Sequence, residues 1–122
     1  MRILLIDDSE SIREMSKVFL TRLGHHKVTL SGNGNEAFRT YKKRGPYDVV
    51  LSDVDHSGLD GIELAKCILQ KNPKQRIGFV TAYKKGTISL PEGCLLLEKP
   101  FSMPQLLEFV EKVKTIEKIR AR

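Results

Sequence analysis

The chain has 122 residues, 40% of them apolar and 30% charged, which is about one domain's worth of polypeptide with enough apolar side chains for one core. That composition excludes a multidomain enzyme and a disordered chain. Lysine and arginine outnumber the acids 21 to 15, a net charge of +6 that favours an acidic partner without defining a site for one.

Short apolar runs alternate with longer amphipathic ones. Ile3 to Ile6 is a continuous aliphatic run ended by Asp7-Asp8, as expected of a strand buried on both faces. Ile12, Met15, Val18-Phe19 and Leu23 then follow helical spacing up to Gly24, with Ser9 or Ser11 available as the N-cap. A weaker strand over Lys27–Leu30 leads through the turn Gly32-Asn33-Gly34-Asn35 into a helix from Glu36 to about Lys43, closed by Gly45-Pro46. Val49 to Leu51 is a third strand. Asp60 caps a helix carrying Ile62, Leu64-Ala65 and Ile68-Leu69, which Asn72-Pro73 stops. Ile77–Val80 and Leu95–Leu97 are the fourth and fifth strands, and Met103 to about Ile119 reads as a long last helix with Leu106-Leu107, Phe109-Val110, Val113 and Ile116 inward. Tyr83 to Gly93 contains Gly86, Pro91 and Gly93, so it holds at most a turn or two of helix. Strands alternating with helices predict a parallel sheet covered on both faces.

Cys67 and Cys94 lie far apart with no CxxC and no histidine pattern, which supports neither a disulfide framework nor a zinc site. Two aspartates interrupt the amino-terminal apolar run before a signal peptide could form, and no run approaches the ~18 residues of a membrane span. A reduced, cytoplasmic chain with no membrane contact is the expectation.

Asp7, Asp8, Asp53, Thr81 and Lys99 each follow directly on a predicted strand. In an open parallel sheet the carboxyl ends of the strands share one edge, where ligands bind. Three crowded carboxylates repel, and one divalent cation with the Lys99 ammonium balances them. An all-oxygen donor set with room for water suits Mg²⁺. Such a site fits phosphoryl transfer, with Asp53 as the attacking carboxylate and the Thr81 hydroxyl and Lys99 each holding a phosphoryl oxygen.

At these residues the chain resembles the response-regulator receiver domains of two-component signalling, over nearly its whole length. The matching pieces are Ile6-Asp7-Asp8-Ser9, Val50-Leu51-Ser52-Asp53, Gly58-Leu59-Asp60-Gly61, Val80-Thr81-Ala82 and Lys99-Pro100-Phe101, specific together through their order and spacing. The resemblance implies a doubly wound α/β fold of five parallel strands, flavodoxin-like in its order 2-1-3-4-5, with helices on both faces. It further implies that Asp53 is the phosphoacceptor, that Asp8, Asp53 and the Asp55 backbone carbonyl bind Mg²⁺ directly with Asp7 acting through water, and that Lys99-Pro100 is a cis peptide. The implied phosphoryl donor is a histidine kinase or phosphotransfer protein. The implied output is an altered surface for another protein, an acidic one by the charge of this chain.

Three places depart from the family pattern. His56-Ser57 stand where receivers carry a Met-Pro pair, Leu96 stands where they carry a switching Tyr or Phe, and the stretch from Thr81 to Lys99 is short, with its fourth helix short or absent. Tyr83 is the candidate replacement for the missing ring, and the Tyr83–Gly93 segment the candidate moving element. A single domain over 1–122 leaves no room for a DNA-binding effector, so no nucleic acid contact is expected, and the chain reads as a stand-alone or excised receiver.

Two other readings compete. Asp53-Val54-Asp55-His56-Ser57 is similar to the DxDx[TS] nucleophile motif of haloacid-dehalogenase-type phosphatases, although Glu108, Glu111 and Glu117 do not supply the acidic pair those enzymes need after the lysine. A binding module that works without phosphorylation is the other. His25, His26 and His56 read as surface or loop residues. Lys42-Lys43-Arg44, Lys84-Lys85 and the tail Lys112 to Arg122 read as solvated basic faces.

Overall fold

The computed structural model describes residues 1–55, 58–84 and 86–116. Its elements run β1 (Arg2–Ile6), α1 (Glu10–Arg22), β2 (Lys27–Ser31), α2 (Gly34–Arg44), β3 (Val49–Ser52), α3 (Gly61–Lys71), β4 (Ile77–Thr81), β5 (Leu95–Glu98) and α4 (Met103–Thr115). All strand pairs are parallel, in the order β2-β1-β3-β4-β5. The expected doubly wound fold is present, with four helices among the described residues.

Alternation along the central strands builds two cores. Leu4, Ile6, Val50, Ile77 and Phe79 face α2 and α3, meeting Ala37, Tyr41, Leu64 and Ile68. Ile3, Leu5, Val49, Leu51 and Val80 face the other way, onto Leu20 of α1 and Leu106, Phe109, Val110 and Val113 of α4. Gly78 makes the second packing possible, because a Cβ there would come within 2.7 Å of the Phe109 ring and 2.8 Å of Val113. Strands buried on both faces cannot show a period of two, which is why they read as unbroken aliphatic runs.

Caps fix where the helices begin. Ser9, Asn33, Asp60 and Ser102 each accept an N–H of the first turn, and Ser102 and Gln105 form a reciprocal capping box. Of the two serines available for α1, Ser9 is the cap. Helix α2 starts at Gly34, two residues before the expected Glu36, because Asn33 caps it.

One expectation is corrected, and two burials add to the reading. The last helix ends at Thr115, and not near Ile119. Ile116 leaves helical geometry with ψ of 135°, and its carbonyl accepts from Arg76 Nε at 3.0 Å, which draws the chain off the helix axis. Ile119 lies outside the described residues. In α1 the buried side chains are Ser16 and Leu20, while Met15, Val18 and Leu23 are exposed. Helical spacing of apolar residues marks a stripe without saying which side of it meets the sheet. His26 is a loop residue but buried, lodged between the amino terminus, 3.3 Å from its Nδ1, and Glu111, 3.7 Å from its Nε2.

The β4–β5 connection has no helix among its described residues. Ile88, Leu90 and Cys94 instead lay partly buried side chains against the α2–α3 core. No helix among the described residues is long and apolar enough to cross a membrane.

Candidate functional site

The parallel register brings the ends of β1 and β3 side by side. Ile6 pairs with Ser52, and the Asp53 N–H donates to the Ile6 carbonyl at 3.0 Å, so Asp7 and Asp53 emerge next to each other. Each aspartate is then divided between two tasks. Asp7 Oδ1 accepts the Ser9 N–H at 2.9 Å, and Asp53 Oδ1 accepts the Val54 N–H at 2.7 Å. The remaining oxygens share one cation. Lys99 Nζ lies 3.2 Å from Asp7 Oδ2 and 2.9 Å from Asp53 Oδ2.

Lys99 reaches that point because the peptide after β5 stays on the sheet. Its N–H donates to the Thr81 carbonyl at 2.7 Å, and Lys99–Pro100 is cis, as expected; Gly45–Pro46 is cis too. Burial alone draws the Lys99 pKa down. The Asp53 and Asp7 carboxylates outweigh it and hold the ammonium above its ordinary value. The cation therefore persists through neutral pH.

Thr81 is the last residue of β4, inside the strand end and almost wholly buried. Its Oγ1 accepts the Tyr83 N–H at 3.3 Å. Tyr83 is exposed at the rim, and a hydrogen bond to the Asp55 carboxylate, with the charge of that carboxylate, raises its phenol pKa. The two loops leaving this edge thus meet at Tyr83 and Asp55. Leu96 is buried beside Phe79 in the β4–β5 register, on the opposite strand pair from the acids.

Asp8 and Asp55 are exposed on the same loops. Among the described residues no three His, Cys, Asp or Glu side chains gather into a chelating group. The available donors are two or three carboxylates on strand-end loops and the backbone carbonyl of Asp55. They are all hard oxygens, a set that suits Mg²⁺ retaining several waters and does not suit zinc or copper.

Two supporting residues escaped the sequence reading. Gly61, the first residue of α3, sits so close to Asp53 that an added Cβ would lie 2.0 Å from its carbonyl oxygen, and its N–H donates to the Val54 carbonyl at 2.8 Å. Asn35, in the first turn of α2, accepts the Leu59 N–H on Oδ1 at 3.0 Å across 24 positions of sequence. Gly61 was visible only as part of a motif. Asn35 was visible only as part of a turn. His56, of the DxDx[TS]-like stretch, lies outside the described residues with Ser57.

The chain is similar to known receivers over nearly its whole length. A response regulator receiver protein CpdR of Brucella abortus is 30% identical over 116 residues, spanning 92% of this chain and 95% of its own. The chemotaxis protein CheY of Thermotoga maritima is 28% identical over 116 residues, spanning 92% and 96%. Among solved structures, the response regulator protein TrrA of Thermotoga maritima in complex with Mg²⁺-BeF superposes with a TM-score of 0.80 at 32% identity, covering 92% of this chain and 97% of that one. These relatives belong to signalling domains and not to classical enzymes. Residues 3–111 match the response regulator receiver domain, and the chain belongs to that family.

Proposed function

We propose that this receiver, a single domain over 1–122, accepts a phosphoryl group on Asp53 and signals by changing the surface it offers to other proteins. The observation that carries the reading is the single ammonium of Lys99 held at 3.2 and 2.9 Å by Asp7 and Asp53. A cation already set against the acceptor carboxylate is the counter-charge that a transferring phosphoryl group requires.

Asp53 Oδ attacks phosphorus, forming an O–P bond as the donor's N–P bond breaks, and the departing imidazole nitrogen takes up a proton. Lys99 and the Thr81 hydroxyl hold oxygens of the transferred group. The hydroxyl accepts the Tyr83 N–H through a lone pair, which leaves its O–H free to donate to a phosphoryl oxygen. Asp8, Asp53 and the Asp55 carbonyl would hold Mg²⁺ directly, with Asp7 acting through water. Mg²⁺ supplies charge neutralisation on the transferring oxygens when it is bound. The donor is a histidine kinase or phosphotransfer protein. A groove of about 450 Å³ beside Lys99, lined by Ile12, Met15, Ala82, Phe101 and Met103, suits an apolar donor surface. The output is the β4–β5 connection, where Lys84 favours an acidic partner.

Intact mass after incubation with acetyl phosphate and Mg²⁺ tests the reading. One added phosphoryl group, absent in Asp53→Asn, is the expected result. Modification at a different residue, or none in the parent chain, overturns it.

A further inference from the structure

The segment from Asp53 to Gly61 carries the acceptor and the Asp55 carbonyl, yet it contains two glycines and no proline. Two glycines and no proline give the backbone little intrinsic preference for presenting the Asp55 carbonyl toward Asp8 and Asp53. Something outside the segment must therefore hold it. The ends are secured by the Asp53 N–H on Ile6 and the Gly61 N–H on Val54. The middle is secured from another element altogether.

That element is α2. Asn35 Oδ1 accepts the Leu59 N–H at 3.0 Å, and the loop backbone is pressed onto the same amide. A Cβ on Gly58 would lie 2.2 Å from Asn35 Oδ1 and 3.3 Å from its Cγ. Gly58 also has φ of +78°, which a glycine adopts without strain. The Leu59 side chain is partly buried against the core beneath. Amide, glycine and leucine together make one clamp between the start of α2 and the loop after β3.

We infer that Asn35 is a positioning residue for the metal-binding loop: its side-chain carbonyl, by holding Gly58–Leu59, keeps the Asp55 carbonyl where it completes the Mg²⁺ donor set. The inference rests on the proposed phosphoacceptor reading, because it assigns a role toward the metal of that site. Asn35 touches neither metal nor phosphoryl group. It acts by raising the fraction of molecules whose loop is competent, and apparent affinity scales with that fraction.

Calorimetric titration of the full chain with MgCl₂ tests this, with amide hydrogen exchange at Leu59 as a second reading. Asn35→Ala removes the acceptor oxygen while improving helix propensity, so the fold is not put at risk. Mg²⁺ affinity should fall about three- to tenfold, the worth of one hydrogen bond, and the Leu59 amide should exchange faster. Asn35→Asp keeps the oxygen and should keep both the affinity and the protection. Unchanged affinity in Asn35→Ala overturns the inference, as does equal weakening in Asn35→Asp, or weakening without faster exchange at Leu59. A parent chain that binds no Mg²⁺ overturns the phosphoacceptor reading itself, which separates the two failures.

Discussion

Two stretches of chain leave the same edge of the sheet and are held in opposite ways. Between β3 and α3, backbone and side-chain hydrogen bonds tie the loop to β1, α2 and α3, and Gly58 and Gly61 sit where no side chain fits. Between β4 and β5 the backbone bonds are local, Thr87 to Lys84 and Cys94 to Pro91, and Gly86 has nothing within 4 Å of an added Cβ. Among the described residues, the half-buried Ile88, Leu90 and Cys94 pack that connection against the core. Among the described residues, the side that carries Asp53 is cross-tied to other elements, and the side that follows Thr81 is held mainly by local bonds. Local stability of this kind, low in few-contact segments, is what lets one part move while the rest stays folded.

The sharpest way to break this comparison is to attack the rigid side chemically. Asp8→Ala removes one oxygen ligand and part of the negative charge, so Mg²⁺ affinity should drop by about tenfold or more in a metal titration. Lys99→Ala should leave metal binding intact or tighter, because the ammonium competes with the ion for Asp7 and Asp53, and should impair the response to phosphorylation instead. If the two variants behaved alike toward Mg²⁺, the separation of metal and phosphoryl roles would collapse.

Backbone space gives the next contrast. Gly61→Ala drives a methyl group into the Asp53 carbonyl, and the rigid loop must shift, at about 3 kcal/mol in denaturant unfolding. Gly86→Ala meets open space and faces only the strain of φ at +88°, about 1–2 kcal/mol. Equal costs would mean the two loops are equally constrained. Within the proposed function, a phosphoryl mimic should alter amide exchange across residues 83 to 93 more than across 58 to 61. A population shift requires an element with two arrangements, and the candidate is the connection that begins at Tyr83, whose N–H is on Thr81 and whose phenol pKa is raised by Asp55. Changes confined to other segments would remove the connection from that role.

How far these features could be read from sequence depends on whether their cause is local. The sheet and its edge were legible because unbroken aliphatic runs end in Asp7, Asp53, Thr81 and Lys99, and parallel strands bring such ends together. The inward face of α1 was not legible, since Ser16 is buried while Met15 and Val18 are exposed. Nor was the end of α4, because Arg76, forty positions upstream, captures Ile116. The Asn35 clamp is a contact between two turns, each of which looks complete alone.

The smallest expected effect is a control at the other end of the sheet. His26 is buried in the loop just before β2, and desolvation, then the charge of the amino terminus, lowers its pKa below the ordinary 6.5, against a smaller opposing pull from Glu111. A group whose folded pKa is depressed is deprotonated more readily in the folded state. Its contribution to stability is therefore complete above the unfolded value of about 6.5 and lost as pH falls through the lower folded value. Thermal melts from pH 7.5 down to about 5 should show the midpoint falling slightly. In His26→Gln that dependence should flatten. Neither loop at the carboxyl edge contains this group, so amide exchange at Leu59 and across 83 to 93 should follow the global change and no more. A pH effect centred on either loop would show that the two ends of the sheet are coupled, and that the contrast between rigid and free loops is not a property of the loops alone.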